Sequence, residues 1–251
     1  KLMEFLIRGE ITCGVTGAQG SGKTTLVSSI VRYIDPRFTI RVLEMAPELY
    51  LRELYPNRNI LSVQETATVT ATELQDALKK ADGIVSIVGE VATDAIASNM
   101  IKMGQVASRF TVFTHHANTA KDLVLALRNS LVNAGNFNNT YTAEKQVTDV
   151  VKIDIHIDKT PDGKRYIERI SEIIQKEEGV PYPEYDINNP IDSMNEITRE
   201  YYSRITDRLG FITQDLLVYD LETDTYKVVN RPSEYLVDRI KKRLNNQTAT
   251  E

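Results

Sequence analysis

Residues Gly17, Ala18, Gln19, Gly20, Ser21, Gly22, Lys23 and Thr24 carry the spacing G-x-x-x-x-G-K-[ST], a pattern whose chemistry is the holding of a nucleoside triphosphate. The glycines let the chain turn tightly and aim successive N–H groups inward, where the positive end of a following helix adds to their hold on an anion. Lys23 is the expected contact to the β- and γ-phosphates. The Thr24 hydroxyl is the expected ligand of Mg²⁺, a hard cation that takes oxygen donors and keeps part of its water. With Thr25, these residues are the expected binding set for ATP.

The elements that must position this loop are present on both sides of it. Glu10 to Thr16 reads as a short buried strand, and Leu26, Val27, Ile30, Val31 and Ile34 recur at helical spacing until Asp35-Pro36 stops the helix. A dinucleotide fingerprint is the competing motif, because Gly14, Gly17 and Gly20 are close together and Glu44 lies where a ribose-binding acid belongs. Its G-x-G-x-x-G spacing is not met, and that site has no use for a Lys-Thr pair.

Composition bounds the rest. A chain of 251 residues with 41% hydrophobic residues and net charge −5 can bury a full core and offers no overall attraction to nucleic acid or anionic lipid. No apolar run approaches bilayer length and no signal-peptide pattern opens the chain, so a cytoplasmic protein is expected. The single cysteine, Cys13, excludes an internal disulfide and reads as a buried thiol in the first strand. The basic run Arg239 to Arg243 reads as the solvated face of a last helix.

Along the chain, a short helix around Leu2, Phe5 and Leu6 precedes the first strand. Further strands are expected at Phe38 to Leu43, Asn59 to Val63, Ile84 to Val88 and Phe110 to Phe113. Helices are expected between them: one opened by a Thr72/Gln75 capping box, one capped by Thr93 and stopped by Gly104, and one opened by Thr119 and Asp122. This alternation implies an α/β fold with a mostly parallel sheet flanked by helices. Beyond Asn139 the pattern becomes strict alternation. Val151, Ile153, Ile155 and Ile157 point one way, and Lys152, Asp154, His156 and Asp158 the other, which predicts a half-exposed strand with His156 on its surface. Pro161-Asp-Gly163 predicts a turn, with Tyr166 to Ile174 returning as a hairpin partner. Residues 177–195 read as a linker. A helix near Glu196 to Arg204, a strand pair within Gln214 to Val229 and a helix from Ser233 complete a small α+β C-terminal extension, expected to pack on the same domain.

Reactive side chains in such a fold belong at the carboxyl ends of the strands. Glu44, Glu90 and His116 stand there in chain order. An acid near the γ-phosphate positions or deprotonates water, and an acid closing an apolar strand holds Mg²⁺ through its waters.

Taken together, the loop, L-E-x-x-x-E at Leu43 to Glu48, I-V-G-E at Ile87 to Glu90 and T-x-H-A-N-[ST] at Thr114 to Thr119 resemble the Walker A, Asp box, Walker B and His box of the secretion ATPase superfamily. That superfamily serves type II and type IV secretion, conjugation and pilus assembly, and the branch of tight-adherence pili is the most similar. The likeness runs from about Leu2 to Ile174, with Leu216 to Asp220 also fitting the branch. It implies a RecA-like nucleotide-binding domain over residues 1–176, with 177–251 as linker and extension and the family's N-terminal domain absent. It implies that Lys23 and Thr24 bind phosphate and Mg²⁺, that Glu44 activates water, that Glu90 is the Walker B acid acting on the metal through water, and that His116 senses the γ-phosphate. His115 has no counterpart in the motif. It further implies a hexameric ring, an inner-membrane platform protein as partner, a position on the inner face of the cell membrane, and no direct role for nucleic acid. Met45 stands where the family has an acid, Ala92 where an Arg usually follows the Walker B Glu, and Lys79 and Lys80 where it is arginine-rich. An ammonium does not reproduce the bidentate fork of a guanidinium. Arg8, Arg41, Arg52, Arg58 and Arg109 are the candidate replacements. Three functions follow: a motor ATPase, a nucleotide-gated assembly component with little catalysis, and a DNA-translocating motor, the last opposed by the acidic balance.

Overall fold

Alternating βα segments lay strands side by side only if each crossover carries a helix back over the sheet, and the computed structural model is built this way. It describes residues 1–80, 85–106, 108–176, 182–206 and 209–248. Helix α1 (Leu2–Arg8) leads into β1 (Cys13–Thr16), and α2 (Lys23–Ile30) runs on through a 3₁₀ turn at Val31–Tyr33. Then come β2 (Ile40–Glu44), α3 (Leu51–Leu54), β3 (Ile60–Gln64), α4 (Ala71–Lys80), β4 (Val85–Val88), α5 (Asp94–Val106), β5 (Phe110–His115) and α6 (Ala120–Asn133). The chain continues with α7 (Thr140–Val150), β6 (Ile153–Lys159), β7 (Arg165–Gln175), α8 (Pro190–Thr206), β8 (Phe211–Asp220), β9 (Thr225–Val228) and α9 (Glu234–Thr248).

Among the described residues the strands form one nine-stranded sheet in the order β3-β2-β4-β5-β1-β6-β7-β8-β9. From β3 to β6 every pairing is parallel, and from β6 to β9 every pairing is antiparallel. The expected α/β class with a mostly parallel sheet therefore holds. Strands β8 and β9 extend the same sheet, and Leu216 of β8 with Leu236 and Ile240 of α9 joins the core cluster that holds Leu6, Val15, Val27 and Ile153. A second cluster, built on Val88, Phe113, Met100, Leu123, Leu127 and Val147, seats α5, α6 and α7. Among the described residues no helix is long and apolar enough to cross a membrane.

Several local expectations are met in detail. The Thr119 side chain accepts the Asp122 N–H at 3.0 Å, capping α6. The Pro161-Asp-Gly163 turn closes the β6–β7 hairpin, with Lys159 opposite Arg165. Others need correction. The capping box of α4 is Thr70/Glu73, with the Thr70 N–H donating to Glu73 at 2.9 Å and the Glu73 N–H to Thr70 Oγ1 at 3.3 Å. Gln75 is instead buried. Gly104 does not stop α5: the helix passes through it, because a Cβ there would lie 2.4 Å from Val150 Cγ1 and only glycine lets α5 approach the end of α7. Helix α7 lies at the start of the segment beyond Asn139 read as alternating, and α8 starts at Pro190, within the segment read as linker. The expectations for Ile84 and for residues 177–181 fall outside the described residues.

The larger correction concerns β6. It is buried along both faces, with Lys152, Asp154 and His156 only 5%, 0% and 8% exposed. Alternation implies a solvent face only when one side of a strand stays uncovered. Here β6 sits between β1 and β7 while α6 lies over β6, β7 and β8.

Candidate functional site

The phosphate-type loop joins β1 to α2 beside the ends of β5 and β6, since Thr16 pairs with His115 on one side and His156 on the other. Three glycines hold left-handed backbone, Gly17 at φ 141°, Gly20 at 75° and Gly22 at 101°, conformations that L side chains rarely adopt. Gly17 is doubly constrained, because a Cβ would sit 2.2 Å from the Ile157 carbonyl oxygen. Gly22 is the N-cap of α2. Lys23, the first residue of that helix, turns its ammonium back to donate to the carbonyls of Gly17 at 2.9 Å and Ala18 at 3.0 Å. Burial pulls its pKa below the usual lysine value, while Glu90 and Glu48 act the other way.

The second strand's acid ends β2 at the cleft, as its position in the sequence implies, and also binds the chain around it. Glu44, 7% exposed, accepts the backbone N–H groups of Glu48 at 3.0 Å and Leu49 at 2.8 Å on Oε1. Its Oε2 accepts the Ser62 hydroxyl at 2.9 Å. Oε1 thus holds the 44–49 turn and Oε2 ties it to β3. That turn delivers Glu48, whose Oε2 receives the Thr24 hydroxyl at 3.1 Å. The last acid of L-E-x-x-x-E, to which no role was given from sequence, is the one that hydrogen-bonds the loop's Thr24.

The acid and histidine after β4 and β5 meet: Glu90 Oε1 lies 3.2 Å from His116 Nε2, both about half exposed. Their two loops are stitched to the sheet. The Gly89 N–H donates to Leu43 O at 2.8 Å and the Val91 N–H to Thr114 O at 3.0 Å, while the Thr114 hydroxyl donates to Gly89 O. His115 points elsewhere, its Nδ1 3.0 Å from Val91 O, so that nitrogen carries the proton. Burial holds its pKa below the usual histidine value. From β7, Arg169 donates to the Asn118 carbonyl and to Glu168, fastening the loop that bears His116.

A cleft of about 700 Å³ gathers Gln19, Gly20, Gly22, Lys23, Thr24 and Thr25 with Glu44, Glu48, Glu90, His116 and Arg165. None of the five arginines singled out from sequence lines it. Arg8 pairs with Glu4 at 3.5 Å, Arg109 with Glu10 at 2.6 Å, Arg58 donates to the carbonyls of Ile34 and Asp35, Arg41 to that of Ile40, and Arg52 is exposed on α3. Arg165, whose only sequence signal is its place just after the hairpin turn, is the arginine found there among the described residues.

The donors around Thr24 are hydroxyl and carboxylate oxygens, which suits Mg²⁺. Among the described residues no group of three or more His, Cys, Asp or Glu could hold a metal unaided.

Beneath the loop lies a buried polar row. The Thr16 hydroxyl donates to Asp154 Oδ1 at 2.7 Å and, having given its one proton, accepts from His156 Nδ1 at 2.9 Å. Among the described residues Asp154 Oδ2 has no hydrogen-bond partner. Burial pushes the Asp154 pKa up to about 6 against the pull of Thr16 and Arg169. Burial, with Arg169 adding to it, takes His156 down to about 4.

A glycine-rich loop capping a helix at the carboxyl edge of a parallel sheet, with lysine, threonine and acids converging on it, defines a P-loop nucleotide-binding fold. No family model matches the chain, and no curated protein does. Solved structures do. The VirB11 ATPase from the Brucella suis type IV secretion system, in complex with sulphate, matches at TM-score 0.59 and 20% identity over 67% of this chain and 50% of that one. The Legionella pneumophila ATPase DotB matches at 0.51 and 18%, over 84% and 60% of the two chains. The pilus retraction motor PilT with bound ADP matches at 0.52 and 16%, over 99% and 55%. The chain therefore spans 50% to 60% of the length of these proteins, and it shares the fold of the part it covers.

Proposed function

We propose that this chain is the ATP-hydrolysing motor part of a secretion or pilus-assembly ATPase. The observation that carries the reading is the convergence of Lys23, Thr24, Glu48, Glu90 and His116 on one cleft. Lys23 exchanges the loop carbonyls for the β- and γ-phosphates, and the loop N–H groups complete the cradle. Thr24 directly and Glu90 through water are the residues that would hold magnesium, whose charge offsets that developing on the transferred phosphoryl group. Glu48, free of the backbone bonds that occupy Glu44, orients and deprotonates the attacking water. Glu44 shapes the turn that presents it. His116, paired with Glu90, registers the γ-phosphate. The likeness in fold supports action as a hexameric ring against an inner-membrane platform protein, on the inner face of the membrane.

One observation favours a second reading, a nucleotide-gated component with slow turnover: the five arginines considered from sequence all lie outside the cleft, and Met45 lines it. ATP turnover per subunit, followed against protein concentration, separates the two. The motor reading expects a rate that rises with assembly, is abolished in Lys23→Ala, and falls by roughly 10²–10⁴ in Glu48→Gln while ADP binding survives. Wild-type rates in both variants would refute it. Binding without turnover in the parent protein selects the second reading.

A further inference from the structure

The cleft does not end at the phosphate loop. A second hollow of about 300 Å³ adjoins it, lined by Leu26, Ser29, Ile157, Tyr166, Ile167 and Tyr226. The two share Gly22, Thr25 and Arg165. Arg165 therefore stands at their junction. Its Nε donates to the Gly20 carbonyl at 3.1 Å, and its Cδ lies 3.0 Å from where a Cβ on Gly22 would be, so the stem rests on the start of α2. Among the described residues no carboxylate pairs with the guanidinium. A cation held only by a backbone carbonyl, beside a loop made for a polyanion, has its remaining donors to offer.

We infer that Arg165 clamps the α- and β-phosphates of the nucleotide and does not act on the γ-phosphate. The inference rests on the nucleotide-binding reading above and deepens it. Glu48, Glu90 and His116 line the cleft but not the adjoining hollow, so the reacting end of the triphosphate lies with them. The nucleoside end runs out past Thr25 into the hollow, whose Leu26, Ile167 and tyrosine walls suit an apolar ring face. A guanidinium between the two ends meets the phosphates that ADP and ATP have in common. It also supplies in the same chain the bidentate cation missing from the sequence motifs, in a binding role: its contacts are equally strong in ground and transition states, which lowers Kd without changing kcat.

The test is calorimetric binding of ADP and of ATP to the full chain, with turnover at saturating ATP, for wild type, Arg165→Ala, Arg165→Lys and Lys23→Ala. Arg165 is exposed, so unchanged melting temperatures are expected, and Arg165→Gln serves if the alanine variant fails to fold. Arg165→Ala is expected to raise both Kd values alike by about tenfold, the loss of about 1.4 kcal/mol, with kcat within about twofold. Arg165→Lys should recover part of the affinity. Unchanged ADP affinity in Arg165→Ala overturns the proposal, as does a weakening confined to ATP or a fall in kcat at unchanged Kd, which would make Arg165 a γ-phosphate residue. A wild-type chain that binds neither nucleotide, or a Lys23→Ala variant that binds both normally, would remove the functional reading and the clamp with it.

Discussion

Asp154→Asn changes a single buried charge, and its effect on stability has a sign set by the structure. The carboxyl is 0% exposed, with one oxygen unpartnered, and its pKa is raised to about 6 from about 3.9 in an unfolded chain. A raised carboxyl pKa means that the folded state binds the proton more tightly. The associated stability is fully present below about pH 4 and is lost as pH rises through about 6. His156, the neighbour across Thr16, works in the opposite sense. Its pKa is lowered to about 4 from about 6.5, so its contribution is present above about 6.5 and lost as pH falls towards 4. Arg169 and Asp215, from β7 and β8, are charged groups that face Asp154, and Arg169, Glu168, Asp158 and Lys23 face His156, with Glu168 Oε2 3.7 Å from its Nε2. Between about pH 4 and 6 the two trends largely cancel in the native protein. Asparagine removes only the first. Integrating the linkage relation from about pH 4.5 to 7.5, the stability of Asp154→Asn relative to wild type should rise by about 2 kcal/mol. Urea denaturation followed by circular dichroism at several pH values measures this difference. A change in hydrogen bonding at the new amide shifts the whole difference curve without tilting it, so a curve flat with pH would refute the reasoning.

Two further outcomes follow from the geometry of the loop and its neighbouring turn. Glu44→Gln replaces a carboxylate that accepts three hydrogen bonds by an amide whose nitrogen only donates. A loss of about 2 kcal/mol in chemical denaturation is expected, whereas Glu48→Gln, at an exposed position, should leave stability unchanged; equal effects would refute the division of labour between the two acids. Gly17→Ala forces a methyl group against the Ile157 carbonyl at a backbone angle of 141°, and about 3 kcal/mol of destabilisation with loss of ADP binding is expected in melting and calorimetry.

Much of the site was legible because its determinants are local. The phosphate loop, the Thr119 cap and the Pro161-Asp-Gly163 turn each depend on backbone angles and on groups three or four residues apart, which neighbouring residue types reveal. The strand-end positions of Glu90 and His116 follow from the same reasoning. The choice between Glu44 and Glu48 does not. It turns on Ser62 of β3 and on a turn that folds over Glu44, partners that leave Glu48 as the acid bonded to Thr24 although both acids line the cleft. Arg165 and Arg169 were overlooked because they reach the cleft and the His116 loop by a hairpin return, a contact across 145 residues in the case of Arg165 and Gly20.

The sequence by itself determined that a helix-capped phosphate loop stands within an α/β framework of parallel strands, because glycine freedom, helical spacing and strand spacing are properties of short segments. Only the tertiary structure decided which faces are covered. The alternation from Val151 to Asp158 has the same period whether one face meets water or helix α6, and the strand's place between β1 and β7 turned Asp154 and His156 from surface residues into a buried polar row. Gly104 carries the same lesson for helices: its missing side chain marks the closeness of Val150 and not an end of α5. Burial depends on what the rest of the chain brings alongside, and no segment contains that information alone.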